Sequence, residues 1–296
     1  MKGNMLILTT LSLLLSWMLS VDSRAVPQDA KEMSMVDDSV DDMYFNCKDS
    51  MMTIIKDKYF ENEKKSFANV WNDAINTCEP KFEQREDKVL TREHLQAIFV
   101  YTSNRVYEKF NKEVRTGRSI FNSSFQFHSL HYLLTSAIQI LNNNNTCHIT
   151  YRRTDYTFTG KVGQTIRFGL FASSSYRTDL KHFGNESCFK IKTYSGAFLK
   201  SYSCYPGERE VLIPPYEMFS ITSINDQGEI QGLEDCKNVF VLESAGYKSS
   251  LNCMLDRYWR EKSSSRCVIH ASSSTQTKYE INIKCWLYLL VVVILF

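Results

Sequence analysis

Apolar side chains recur at helical spacing through the first half of the chain. The spacing predicts two helices within residues 43–78, one over 92–116 and one over 125–141. A charged stretch, residues 79–88, separates the second helix from the third. Residues 24–39 are polar and acidic, which is typical of a loosely held arm. The first half is therefore predicted to be helical.

From residue 147 onward the pattern changes to short runs rich in Ile, Val, Tyr, Phe and Thr, bounded by turn residues. These runs predict strands near residues 147–152, 165–171, 188–193, 197–202, 208–213, 218–224 and 239–242. Because the helices come first and the strands follow, the pattern favours an α+β fold over alternating βαβ units. We expect one domain over residues 24–260, with a helical part over about 40–145 and a sheet core over about 146–260.

The chain begins with a targeting signal. Residues 1–23 hold one basic residue, a short apolar run and small residues at a cleavage site, which predicts a secretory signal peptide. The mature protein is therefore expected to enter the secretory pathway and to reach the plasma membrane or the outside of the cell.

The other end of the chain is apolar as well. The run 286–296 is too short to span a membrane, which needs about 20 apolar residues. It follows a Ser-rich stretch, 261–274, and a polar spacer, so 261–274 is predicted to be a stalk and 275–296 a GPI-anchor signal that is removed on maturation. The predicted attachment residues are Ser272, Ser273 and Ser274. The alternative is an ordinary C-terminal strand.

Nine cysteines in a secreted chain imply disulfides. Cys285 lies in the predicted anchor signal, and its removal leaves an even set: Cys47, Cys78, Cys147, Cys188, Cys204, Cys236, Cys253 and Cys267. No Cys-x-x-Cys pair or histidine cluster has zinc-site spacing, so no metal is expected. His128 and His131 share a predicted helix without a third ligand nearby, which favours packing or surface polar roles over metal binding.

The net charge bears on the class of partner, and the glycosylation signals bear on where the protein is found. A net charge of +2 argues against nucleic acid as a partner, since such surfaces need a marked basic excess. Three Asn-x-Ser/Thr sequons predict glycosylation at Asn122, Asn144 and Asn185. Both observations suit an extracellular protein.

Two carboxylates, Glu208 and Glu210, lie two residues apart in the predicted strand 208–213. Because side chains alternate along a strand, both are expected on the same face, where two like charges need a cationic or polar partner. Arg152 and the serines within 172–175 lie near predicted strand ends and are candidates for that partner. Taken singly, an arginine at a strand end is more often part of a surface ion pair, and a run of serines is more often a loop. A Glu-x-Glu pair is more often a solvated strand face.

Their order along the chain is more informative. Arg152 is followed by Phe-x-Ser-x-Ser at residues 171–175 and by Glu-x-Glu-Val-Leu-Ile-Pro at 208–214. This order resembles that of the vertebrate GPI-anchored arginine-specific ecto-mono-ADP-ribosyltransferases. Further matches in kind lie at residues 40–47, 100–102, 125–141, 167–169, 216–219 and 252–253. The resemblance thus covers roughly residues 40–255.

The resemblance implies a fold and a reaction. The fold would be the ADP-ribosyltransferase fold, with an N-terminal helical part packed on a core of two antiparallel sheets that form an NAD cleft. The enzyme would transfer ADP-ribose from NAD, its substrate, to arginine side chains of extracellular or membrane proteins and release nicotinamide. Water capture of the same intermediate would give NAD glycohydrolase side activity.

The resemblance also assigns roles to residues. Glu210 would stabilise the cationic transition state and hydrogen-bond the ribose, and Glu208 would position the target arginine and remove its proton. Arg152 would contact the phosphate and ribose of NAD. Ser173 would support the nicotinamide-ribose end, with Ser175 as a second candidate for contact with NAD.

Disulfide expectations come from the same resemblance. It implies a bridge between Cys47 and Cys253, and a second bridge from Cys147 to either Cys188 or Cys204. It assigns no partner to Cys78, Cys236 and Cys267.

One position departs from the family's pattern. Arg153 stands where relatives commonly have glycine, close to the nicotinamide. A side chain there either crowds the pocket or points away. The alternative function is therefore a catalytically silent surface antigen or adhesion protein that retains the fold.

Overall fold

The computed structural model describes residues 30–142, 146–226 and 230–272. Its first half is helical: α1 (Lys48–Ile54), α2 (Phe60–Ser66), α3 (Ala68–Glu83), α4 (Arg92–Thr102), α5 (Tyr107–Thr116) and α6 (His128–Leu141). A π-helical turn, Ile55–Tyr59, joins α1 to α2. The last helix, α7 (Met254–Ser272), follows the strands.

The helical predictions are confirmed in kind but not in their bounds. The helix predicted over 125–141 is α6, and every side chain from His128 to Ile138 is buried, so α6 forms the centre of the helical part. The helix predicted over 92–116 is two helices, because Asn104 takes a left-handed backbone conformation (φ 62°) between them. The sequence pattern predicts a break at 79–88, whereas α3 continues to Glu83.

The two histidines of α6 have packing roles, as the sequence predicts. His131 lies between Tyr44, whose hydroxyl is 2.8 Å from Nδ1, and the carbonyl oxygen of Val40, 3.0 Å from Nε2. Burial lowers the pKa of His131 to about 4. His128 packs against the ring of Phe121.

The second half is built of strands: β2 (His148–Thr154), β3 (Phe158–Thr159), β4 (Thr165–Arg167), β5 (Ala172–Ser175), β6 (Ser187–Thr193), β7 (Ala197–Phe198), β8 (Glu210–Ile213), β9 (Glu217–Asp226) and β10 (Asn238–Tyr247). A short strand, β1 (Lys31–Glu32), precedes the helices. Eight strands form one sheet in the order β4-β9-β10-β6-β2-β5-β8-β7, and β1 pairs with β3.

The α+β fold class is confirmed, but the strand arrangement differs from two antiparallel sheets. The large sheet is mixed, because β6 and β10 run parallel while its other neighbours are antiparallel. The small sheet is a parallel pair. Strand β5 was not among the predicted strands, since its sequence Ala-Ser-Ser-Ser has the composition of a loop.

The segment before the helices is not a loose arm over its described residues, 30–39. Met33 is buried in the core of the sheet. Arg167, on β4, donates to the carbonyl oxygen of Met35 at 2.7 Å and pairs with Asp41 at 2.8 Å. Because the Arg167 and Asp41 side chains are fully buried, this ion pair fixes the N-terminal segment against the sheet.

Two disulfides are present among the described residues. The Cys47–Cys253 bridge is confirmed. Neither expected partner bonds to Cys147, because Cys188 pairs with Cys236 and Cys204 is a free thiol. The register of β2 against β6 explains why: Arg153 lies opposite Cys188, whereas the neighbour of Cys147, His148, lies opposite Thr193 at the far end of the strands. Cys78, Cys147 and Cys204 are free thiols.

Helix α7 begins within the domain and includes the first part of the predicted stalk, 261–274. No helix among the described residues is both long and apolar enough to cross a membrane. Asn122 and Asn185 are exposed. The signal peptide, Asn144, Ser273, Ser274 and the predicted anchor signal lie outside the described residues.

Candidate active site

A cleft opens beside strands β2, β5 and β8. It is lined by every candidate site residue from the sequence: Arg152, Ser173, Ser175, Glu208 and Glu210. Strand pairing brings them together, because β5 lies between β2 and β8, with Ser175 opposite both Tyr151 and Glu210. The missed strand β5 is therefore the element that assembles the site.

Glu210 is the first residue of β8 and is buried in the wall of the cleft. Burial raises the pKa of its carboxyl group, and hydrogen bonds from Ser173 and Ser203 act in the opposite direction. The Ser203 hydroxyl donates to Oε2 at 3.1 Å. Ser203 was not predicted, because nothing in its sequence context distinguishes it from other surface-type serines.

Glu208 does not lie on the same strand as Glu210. It ends a 3-10 turn, Pro206–Glu208, and Arg209 then takes a left-handed conformation (φ 50°, ψ 49°) before β8 begins. The prediction of two glutamates on one strand face is wrong, because the turn that starts at Pro206 includes Glu208. Both side chains still line the cleft, since the left-handed residue redirects the chain between them. Partial burial raises the pKa of Glu208.

Hydrogen bonds fix β5 on both sides. The Arg152 guanidinium donates from Nη1 to the carbonyl oxygen of Ser173 at 2.5 Å. From the helical part, the Tyr101 hydroxyl donates to the carbonyl oxygen of Phe171 at 2.7 Å and lies 3.3 Å from Ser173 Oγ. The amide of Asn111 also donates to the Phe171 carbonyl, at 3.3 Å. The backbone that presents Ser173 is thus positioned by β2 and by helices α4 and α5.

The turn that carries Glu208 is tied to the segment after β5. Ser175 Oγ donates to the carbonyl oxygen of Glu208 at 2.5 Å, and Arg177 Nη1 donates to that of Gly207 at 2.9 Å. The backbone N–H of Tyr176 donates to the carbonyl oxygen of Arg209 at 3.3 Å. These bonds hold Glu208 beside Glu210 although the two belong to different elements.

Arg153 is one of the residues that line the cleft, and its guanidinium is held by protein partners. Its guanidinium bonds to both carboxylate oxygens of Asp235, at 2.9 and 3.1 Å, and to the carbonyl oxygens of Thr178 and Gly232 at 2.7 and 3.0 Å. These bonds lower the pKa of Asp235. The guanidinium of Arg153 is therefore engaged by protein atoms, while the residue remains part of the lining of the cleft.

Tyrosine side chains complete the cleft. Tyr107, Tyr151 and Tyr205 line it beside Tyr101. Tyr101 belongs to the matched stretch 100–102, which was the one available signal for it. Within the parts of the chain that the structure describes, no cluster of three His, Cys, Asp or Glu side chains is placed to hold a metal ion.

A sequence profile of the family described as NAD:arginine ADP-ribosyltransferase matches residues 33–236, which include the whole cleft. The chain belongs to this family. Two curated relatives are the erythroblast NAD(P)(+)--arginine ADP-ribosyltransferase of Gallus gallus, 32% identical over 75% of each chain, and ecto-ADP-ribosyltransferase 4 of Homo sapiens, 33% identical over 78% of this chain and 74% of the relative.

The fold is similar to that of a solved family member. A crystal structure of a point mutant of the eukaryotic mono-ADP-ribosyltransferase ART2.2 in complex with NADH superposes with a TM-score of 0.64 at 28% identity, covering 75% of this chain and 98% of that one. These matches confirm the predicted family, fold, enzyme class and NAD as the substrate. The ecto- names of relatives agree with the predicted extracellular location.

Proposed function

We propose that this chain transfers ADP-ribose from NAD to arginine side chains of proteins outside the cell and releases nicotinamide. The observation that carries the proposal is Glu210, a buried carboxylate in the wall of an open cleft, with Ser203, Ser173 and Arg152 beside it. A negative charge in that position stabilises a positive charge that develops in the cleft during a reaction.

Glu210 supports the bond-breaking step. As the bond between nicotinamide and ribose breaks, positive charge develops on the ribose, and an ionised carboxylate nearby lowers the energy of that transition state. Nicotinamide leaves with the bonding electrons. Because Glu210 is buried, its charge is less screened by water than that of a surface carboxylate.

Glu208 supports the bond-forming step. It lies at the edge of the cleft, beside the half-exposed Tyr205, where a protein side chain can enter. A guanidinium nitrogen of the target arginine bonds to the ribose carbon, and Glu208 takes the proton that this nitrogen loses. The raised pKa of Glu208 suits a base that must bind a proton during turnover.

The remaining residues hold NAD. Arg152 uses one guanidinium donor on the carbonyl oxygen of Ser173, and its planar group keeps further donors for a phosphate of NAD. Ser173 faces Glu210 and supports the ribose that reacts. Ser175 acts indirectly, because its hydroxyl is bonded to the backbone of the Glu208 turn.

The second candidate function, a catalytically silent surface protein, rested on Arg153. Arg153 lines the cleft, but its guanidinium is bonded to Asp235, Gly232 and Thr178 and therefore does not project freely into it. That observation favours the enzyme, with NAD glycohydrolase activity when water replaces arginine.

The proposal is tested with the soluble mature domain, labelled NAD and an arginine-bearing acceptor. We expect label on the acceptor and release of nicotinamide, both lost in Glu210→Gln. If the wild-type domain showed no transfer and no release of nicotinamide, the catalytically silent alternative would be established.

We propose further that a GPI anchor attached at Ser272, Ser273 or Ser274 holds the protein on the cell surface. Support comes from the small residues, spacer and apolar run that end the sequence. Phosphatidylinositol-specific phospholipase is expected to release the protein from cells, and mutation of all three serines to a bulky residue to prevent its display. Retention after the enzyme, with a known anchored protein released in the same dish, would contradict the anchor.

A further inference from the structure

Arg153 is a buried cation with a full set of partners outside the reacting centre. Its side chain is 2% exposed and bonds to Asp235, Thr178 and Gly232. An arginine is costly to bury unless each partner is in place, and removing one partner leaves an uncompensated charge. The position of these partners is therefore tightly coupled to Arg153.

The partners belong to two separate segments. Thr178 begins the stretch 178–183, named here the rim segment, whose Leu180 and Phe183 line the cleft. Gly232 and Asp235 lie in the turn that precedes β10. Arg153, on β2, thus joins the wall of the cleft to a turn that does not itself line it.

Close packing reinforces this junction. Gly232 has a left-handed backbone (φ 86°), and a Cβ atom there would lie 2.3 Å from the Thr178 hydroxyl. The ammonium of Lys181 lies 3.7 Å from Asp235. The rim segment therefore contacts the turn at two places. Thr178 packs so closely on Gly232 that a side chain there would clash, and Lys181 pairs with Asp235.

The Cys188–Cys236 disulfide lies at the same junction. Cys188 is the cross-strand neighbour of Arg153 in the pairing of β6 with β2, and Cys236 follows Asp235 in sequence. The covalent bond consequently restricts how far Asp235 can move from Arg153. The disulfide connects the turn to β6, and the ion pair connects the same turn to the neighbouring strand β2.

We propose that Arg153, Asp235 and the Cys188–Cys236 disulfide form a clamp that sets the position of the rim segment, which makes Arg153 a positioning residue for NAD. The inference rests on the proposed function, because it assigns the rim segment to the NAD side of the cleft. Leu180 and Phe183 share the cleft with Arg152 and Ser173, the proposed NAD contacts. The clamp supplies a preformed wall, so that binding of NAD does not have to order it.

The first test is a double-mutant cycle with Arg153→Ala, Asp235→Asn and the double variant. Each single change is expected to raise KM for NAD about tenfold or more and to change kcat less than about threefold, because the wall moves while the reacting groups stay. The double variant is expected to be no worse than Arg153→Ala alone, since both changes break the same contact. Unchanged KM in the single variants, or effects that simply add, would overturn the proposal.

Two further variants separate positioning from general destabilisation. Gly232→Ala removes no charge but forces Thr178 outward, so it is expected to raise KM for NAD as well. Arg92→Ala breaks an exposed ion pair with Glu79 on the helical part and is expected to leave KM unchanged. Equal effects of Arg92→Ala and Asp235→Asn on KM would rule out a specific clamp.

Amide hydrogen exchange supplies a readout that does not need activity. In Asp235→Asn, amides of residues 178–186 are expected to exchange faster, while those of α6 keep their protection. If the wild-type domain neither transfers nor hydrolyses, the proposed function fails, and the exchange data alone then decide whether the clamp exists. Unchanged exchange at 178–186 would disprove it in either case.

Discussion

At Glu210, opposing effects act on the pKa of a single carboxyl group. Burial raises the pKa, whereas hydrogen bonds from Ser173 and Ser203 lower it by favouring the ionised form. Ser203→Ala removes one of these bonds, so the pKa of Glu210 should rise further. Because the ionised form is the active one, activity is lost as pH falls through this pKa, and the acid limb of kcat/KM should move to higher pH. The exposed Ser201→Ala is the control. An acid limb of kcat/KM that stays at the same pH in Ser203→Ala would show that Ser203 does not act on Glu210.

The two glutamates are expected to respond differently to neutralisation. Glu210→Gln should lower both transfer and NAD hydrolysis by about 10²- to 10⁴-fold, since both reactions pass through the same cation. Glu208→Gln should lose transfer to arginine but keep hydrolysis, which does not need the acceptor. Parallel assays of both reactions make the comparison. Identical behaviour of the two variants would show that the division of roles is wrong.

Individual site residues were predictable only where their order along the chain carried information. Arg152, Ser173 and Glu210 follow one another at spacings that the family shares, and the structure places all three at the cleft. The partner of Arg153 was not predictable, because Asp235 comes from a distant turn and only the folded chain brings them together. The same holds for Ser203, whose contact with Glu210 depends on the 3-10 turn Pro206–Glu208 between them.

At the level of elements, local signals identified turns but not their last residues. Pro206 and Gly207 predict a turn, yet nothing local shows that Glu208 belongs to it or that Arg209 adopts a left-handed conformation. Strand β5 illustrates the opposite case, in which pairing with β8 overrides a loop-like composition. Tertiary contacts decided both outcomes.

Glu63 joins two helices and should make stability depend on pH. From α2 its carboxylate accepts hydrogen bonds from the backbone N–H groups of Ser129 and Leu130 at the start of α6, at 2.8 and 3.0 Å. Burial nevertheless raises its pKa from 4.5 to about 8. Between these values the unfolded chain releases a proton that the folded chain keeps, so stability falls as pH rises through this window.

The Glu63→Gln variant tests this dependence. Glutamine has the same shape and does not ionise, so the free energy of unfolding should fall less between about pH 5 and pH 8 than in the wild type. Asp42, with a pKa raised to about 7, has the same sign and should retain part of the slope. Denaturant titrations between about pH 5 and pH 8 measure the free energy of unfolding at each pH, with the exposed Glu61→Gln as control. An identical slope in Glu63→Gln would mean that Glu63 is ionised in the folded protein.

For the whole molecule, the order of helices before strands was enough to predict an α+β domain. The sequence could not predict that β6 and β10 run parallel, because pairing joins strands that are separated by β7, β8 and β9 in the chain. The prediction of a bridge from Cys147 failed for the same reason. Which cysteine faces Cys188 depends on the position of the turn before β10, and not on the number of cysteines.

The Cys47–Cys253 bridge should be a major contributor to global stability. It closes a loop across a sequence separation of 206 residues. Replacing both cysteines with alanine should lower the free energy of unfolding by about 2–5 kcal/mol, chiefly because the unfolded chain gains freedom. Denaturant unfolding measures the change, and Cys147→Ser, which alters an exposed free thiol, should leave stability unaffected. A double variant as stable as the wild type would contradict this assignment.

The same bridge has a mechanical consequence for a protein tethered by its C-terminal end. A force applied at α7 reaches Cys253 directly before the helix and passes through the disulfide to Cys47, at the start of α1. The side-chain amide of Asn252 adds two hydrogen bonds to the backbone of Phe45 at the same point, accepting from its N–H and donating to its carbonyl oxygen. Were the protein anchored as proposed, tension from the cell surface would therefore reach a covalent link beside the helical part.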